Sequence, residues 1–147
     1  DPWFLASASP NDSRLIQAAR NVNLSKPKWV VEQISTAASE FFRGDESLVK
    51  VACLGLAFKP DIDDLRESPA MGVTLDLIKK GFDVVAVEPN IQSHDLLNRS
   101  TTKEGIEQAD VVAVLVKHRE FQMPQIIERL KMTTKPVLDY CGLLNTI

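Results

Sequence analysis

Residues 49–89 read "VKVACLGLAFKPDIDDLRESPAMGVTLDLIKKGFDVVAVEP". The stretch opens with a strand-sized apolar run (49–56) and closes with a second one, "DVVAVEP" (83–89). Between them "SPAMGVTLDLIKKG" has the marks of a helix: Ser68 as cap, Pro69 at the first helical position, Gly81 at the end. Strands that are apolar on both faces and joined through a helix imply a parallel sheet with helices packed on each side. The same alternation continues with a short helix in "TTKEGIEQA" entered from Thr101 or Thr102, a third strand "DVVAVLV", a short helix "PQIIERLK" after Met123, and a fourth strand "PVLDY". Upstream the period is helical instead. "SPNDSRLIQAARNVN" reads as one helix capped by Ser9, and "KPKWVVEQISTAASEFFR" as a second, capped by Ser25 and stopped at Gly44. The expected fold is therefore α/β: a Rossmann-like parallel sheet with helices on both faces, preceded by an N-terminal helical segment. The boundary is expected near residues 44–48.

With 147 residues and 44% hydrophobic content, the chain is long enough for one well-buried core and a little more. Seventeen Lys and Arg against twenty Asp and Glu give a net charge of -3, with no basic stripe for a nucleic acid. The apolar runs are far short of a membrane span. Two cysteines make no disulfide framework, so a reducing cytoplasm is the expected compartment. The chain starts "DPWFLAS" without an initiator methionine, as a piece of something larger would. Trp3, Phe4, Trp29 and Phe42 add apolar surface suited to a subunit or domain interface. Met71, Met123 and Met132 read as core fillers.

In an open parallel sheet, ligands sit beyond the carboxyl ends of the strands. "GLAFKPDIDDLRESPA" (55–70) occupies that position and concentrates charge there. It is no dinucleotide fingerprint, because Ala57 and Pro60 stand where further glycines are needed. Its chemistry must come from side chains: Lys59 as a point charge and Arg66 as a planar fork, both suited to phosphate or carboxylate oxygens. Asp63, Asp64 and Glu67 would hold those cations or cap backbone amides. On spacing alone, a ligand-facing loop and a solvated turn whose charges pair among themselves are both open. Glu88, after the second strand, is expected to be a surface carboxylate rather than a ribose ligand. His118, after the third strand, is expected to be a hydrogen-bonded loop residue, and no grouping has metal-ligand spacing. A receiver-type switch or other non-catalytic nucleotide-binding module is the competing class. A receiver needs an aspartate directly after the third strand, where Lys117 and His118 stand.

The stretch 55–70 resembles the signature of the C-terminal domain of the UDP-glucose/GDP-mannose dehydrogenase family. "DPWFL" resembles the segment after that family's catalytic cysteine motif, "RLIQAARNVN" and "KPKWVVEQI" resemble its central helices, and "ADVVAVLVKHREF" resembles a strand of its nucleotide domain. The resemblance implies that residues 1–48 belong to a central dimerisation domain and 49–147 to a UDP-sugar-binding domain. It implies a four-electron oxidation of a sugar C6 alcohol by two NAD in turn, through a cysteine thioester. UDP-N-acetyl-D-mannosamine is the expected substrate, with UDP-glucose or UDP-N-acetylglucosamine as alternatives. By the same resemblance Phe58, through its backbone, and Lys59 face the nucleotide sugar. Arg66 reaches towards NAD, which is bound mainly by an N-terminal domain absent here, and the central helices form a homodimer. The catalytic cysteine belongs upstream of Asp1, and neither Cys53 nor Cys141 is expected to replace it, so this chain is expected to be inactive alone. The arginine that the family commonly places after the last strand is missing from "LDYCGLLNTI" (138–147).

Overall fold

The computed structural model describes residues 2–41, 49–91 and 97–145. The expected boundary at 44–48, Gly44 and Phe42 lie outside them. The sheet has five parallel strands in the order β3-β2-β1-β4-β5, where β1 is Lys50–Leu54, β2 Asp83–Val87, β3 Asn98–Arg99, β4 Val111–Val114 and β5 Val137–Asp139. The fold class is as expected, with one strand more. β3 is two residues long and carries no apolar run, so its pairing with Val85 and Ala86 leaves no periodic trace in the sequence.

Alternation along the strands divides the core into two layers. Val51 and Cys53 of β1, Val84 and Ala86 of β2, and Val111 and Ala113 of β4 face one side. There they meet helix α2 (Arg14–Phe41) through Val30, Val31, Ile34 and Ala38, and helix α3 (Pro69–Lys79) through Met71, Val73 and Leu77. Ala52, Leu54, Val87, Val112 and Val114 face the other side, with Ile106 of helix α4 (Thr102–Gln108) and Ile126 and Leu130 of helix α5 (Pro124–Met132). Each fully buried Leu or Val contributes roughly 1.5–3 kcal/mol. Ser68 caps α3 by accepting from the Met71 amide, and Thr101 and Glu104 form a reciprocal capping box on α4.

The N-terminal segment differs from expectation. Residues 2–8 form a helix of their own, α1 (Pro2–Ala8), and Ser9 to Asp12 make a turn instead of a helix start. The two anticipated helices are one, α2, running through Pro27. Ser25 is not a cap: its hydroxyl donates to the Val22 carbonyl at 2.7 Å, which commits it to the turn upstream. Pro27 removes one helical hydrogen bond, that to Asn23, without ending the helix. From Val30 onward α2 shares the sheet's core, so the helical segment and the α/β unit pack as one body on that face. Met71 is buried, but Met123, just before α5, and Met132 at its end are exposed, against the core role expected of them.

β1 lies at the centre and pairs with β2 on one side and β4 on the other, so the direction of strand order reverses between β1 and β4. At its end Gly55 adopts φ +82°, and a Cβ there would lie 2.6 Å from the Val116 carbonyl oxygen. Gly72, inside α3, has open space around it. Gly55→Ala should therefore destabilise by about 3 kcal/mol, combining left-handed backbone strain with a clash against main chain. Gly72→Ala should stabilise by about 0.5–1 kcal/mol, since alanine is the better helix former. Urea unfolding midpoints shifted in the same direction for both would contradict this packing.

Candidate functional site at the switch point

The chain leaving β1 has no glycine-rich turn, yet the amides of Leu56 and Ala57 are buried and need acceptors. Both donate to one oxygen of Glu88, at 2.7 and 3.0 Å. The other Glu88 oxygen accepts from the Asn90 amide at 3.0 Å and from its side chain at 3.3 Å. Glu88 is 3% exposed. It is not the surface carboxylate expected from sequence, because the two amides after β1 draw it inward from the end of β2.

His118 Nε2 stands 3.0 Å from the Glu88 oxygen that holds the two amides. Its ring is fully buried, edge-on to Phe121 with centroids 5.4 Å apart. The Asp61 amide donates to His118 Nδ1 at 2.9 Å, so Nδ1 is the unprotonated nitrogen and Nε2 carries the proton that faces Glu88. His118 is thus the hydrogen-bonded loop residue expected. Asp61 has φ +61°, a conformation that a non-glycine residue holds only when its surroundings fix it. Its carboxylate accepts from the Arg119 amide at 2.8 Å and pairs with Arg119 Nε at 3.2 Å. Loop 55–68 is therefore stitched to the segment after β4 and to the end of β2.

Burial works to raise the Glu88 carboxyl, but hydrogen bonds from His118, Leu56 and Asn90 outweigh it and bring the pKa from 4.5 down to about 2. A carboxylate lowered in the folded state stabilises the fold above its ordinary value near 4.5, and that contribution is lost as the pH falls towards 2.

The loop's tip, Phe58 to Pro60, is exposed. Its neck is closed by the Phe58 amide donating to the Asp64 carbonyl at 2.8 Å, and at its far end Ser68 donates to the Leu56 carbonyl at 2.7 Å. The two cations expected to serve a ligand stand differently. The Arg66 fork is engaged with Asp64 through Nε at 2.9 Å and Nη2 at 2.7 Å, with the side chain 88% exposed. These bonds hold the Asp64 carboxyl down to about 2. Lys59 makes no ion pair among the described residues, and its ammonium lies 5.7 Å from the Phe58 ring centroid. Asp64 organises the loop as expected, whereas the acid that ties the loop to its surroundings is Asp61, which sequence reading passed over.

Neither cysteine has the setting of a nucleophile. Burial pushes the Cys53 thiol in β1 up to about 12, and burial with the neighbouring Asp139 does the same for Cys141. At the end of β5, in the segment that lacks the family's arginine, Asp139 organises the turn, accepting from the Cys141 and Leu144 amides at 3.1 and 2.8 Å. No helix among the described residues is long and apolar enough to cross a membrane.

The family model described as the UDP binding domain of the UDP-glucose/GDP-mannose dehydrogenase family matches residues 52–146. The UDP-N-acetyl-D-mannosamine dehydrogenase of Campylobacter jejuni is 43% identical over a match covering 96% of this chain and 33% of that protein. That of Yersinia pestis is also 43% identical, over 83% of this chain and 31% of its own length. Among solved structures, the UDP-N-acetyl-mannosamine dehydrogenase of Staphylococcus aureus superposes with a TM-score of 0.73 at 27% identity, covering all of this chain and 32% of that one. The chain spans about a third of the length of the curated relatives it matches.

Proposed function

Because this chain belongs to the UDP-glucose/GDP-mannose dehydrogenase family, we propose that it is the UDP-binding third of an NAD-dependent nucleotide-sugar 6-dehydrogenase. The sugar is UDP-N-acetyl-D-mannosamine, the substrate named for the relatives at 43% identity. The observation that carries this reading is Lys59: an exposed cation without an ion pair among the described residues, on a loop anchored at the switch point where such sheets bind ligands. An ammonium there neutralises the ligand's negative charge and fixes the sugar end, with the Phe58 backbone beside it. The remaining two thirds of the enzyme supply the catalytic cysteine and most of the NAD site.

NAD fits this chain only at its margin. The exposed Arg66 guanidinium can offer charge to a dinucleotide pyrophosphate while Asp64 holds its plane, but the turn after β1 lacks the glycines that would cradle a dinucleotide. When bound, NAD accepts the hydride; the part of Arg66 is to hold its phosphates. The cytoplasm, where both NAD and nucleotide sugars are at hand, is the compartment this reading assigns.

The complete enzyme is a homodimer through α1 and the N-terminal half of α2, where Phe4, Leu5, Leu15, Val22 and Leu24 are exposed. A strict monomer in sedimentation would remove that assignment. For the site itself, Lys59→Ala in the complete enzyme should raise KM for UDP-N-acetyl-D-mannosamine by about ten- to a hundredfold, the size of a lost charged hydrogen bond. Arg66→Ala should chiefly raise KM for NAD. Negligible effects from both would refute the site.

A further inference from the structure

Loop 55–68 contains two non-glycine residues at positive φ, Asp61 at +61° and Glu67 at +54°, on either side of its charged middle. Left to itself such a loop relaxes, because each left-handed residue costs on the order of 1 kcal/mol or more. What holds it is a buried polar chain that crosses the whole carboxyl edge of the central strands. Glu88 from the end of β2 fixes Leu56 and Ala57, the two residues before the exposed tip. His118 from the end of β4 takes its orientation from Glu88 and passes it to the Asp61 amide, two residues beyond Lys59. The tip is thus gripped on both sides within a few residues of Lys59, by groups that are themselves 3% and 0% exposed and cannot touch a ligand.

We propose that Glu88 and His118 are positioning residues for nucleotide-sugar binding, acting through the loop backbone to hold Lys59 where the ligand's charge arrives. The inference rests on the reading of Lys59 as a ligand contact. A buried, fully hydrogen-bonded polar network is rigid, and its members act as a unit. A free lysine tip on an unheld loop would have to be ordered at each binding event, which lowers affinity and leaves the chemical step alone. The effect therefore belongs in KM and not in kcat.

The test is a double-mutant cycle in the complete enzyme with UDP-N-acetyl-D-mannosamine as substrate. Glu88→Gln keeps the side chain's shape but cannot accept from Leu56, Ala57 and Asn90 together. It should raise KM about tenfold with kcat changed by less than about twofold, and in the Lys59→Ala background it should add less than about twofold. Should that variant fail to fold, His118→Gln, which leaves Glu88 with its amides and cuts the tie to Asp61, carries the same expectation. Multiplicative effects of Glu88→Gln and Lys59→Ala, or an unchanged KM in both the Glu88 and His118 variants while Lys59→Ala raises it, would overturn the positioning role and leave the site reading intact. A Lys59→Ala enzyme with wild-type KM would instead remove the site reading, and the positioning role with it.

Discussion

One buried carboxylate organises the carboxyl edge of the central strands. Glu88 accepts hydrogen bonds from backbone after β1, from the turn after β2 and from the histidine after β4, and so joins the three central strand ends. Taking a charge out of water is costly, and an unpartnered buried carboxyl would simply take up a proton. Here five donors face it, and ionisation is the stable state even with little solvent near. The fold needs such an acceptor because loop 55–68 begins inside the protein: Leu56 and Ala57 are at 0% and 1% exposure and carry amides that no strand pairs. A glycine-rich dinucleotide loop would turn those amides towards phosphate. This loop turns them towards its own protein, and its exposed tip presents side chains.

That arrangement separates buried groups from exposed ones. The buried groups, Glu88 and His118, set backbone shape, while the exposed ones, Phe58, Lys59 and Arg66, stand at the tip and the far side of the loop. Arg66 is presented by its bidentate bond to Asp64, which fixes the guanidinium plane without hiding it. A surface pair of this kind contributes little to stability. Position comes from the sheet: strand order reverses between β1 and β4, and the loop after β1 and the segment after β4 meet at their carboxyl ends.

The strand and helix alternation from residue 49 onward was legible because parallel strands buried on both faces are continuous apolar runs and their helices carry explicit caps. Ser68, Pro69 and Thr101 do in the structure what their positions suggest. β3 was not legible, since a two-residue edge strand has no period. The single α2 helix was missed because Ser25 and Pro27 mimic a helix start, and only the hydroxyl's bond to Val22 tells the difference. Lys59 and Arg66 were readable as charges after β1, but Glu88 and Asp61 were not, because their partners are 32 and 57 residues away in the chain. One signal was available: two buried amides after a strand with no glycine turn require an acceptor, and an acid closing the adjacent strand can supply one.

The most direct test is a carbon-13 titration of the Glu88 side-chain carboxyl in this chain. With Glu88 held as described, its resonance should show the ionised form down to about pH 2, with the Leu56 and Ala57 amides staying protected from exchange over the same range. Titration at or above the ordinary value near 4.5, with those amides exchanging freely at neutral pH, would mean that Glu88 does not hold the loop.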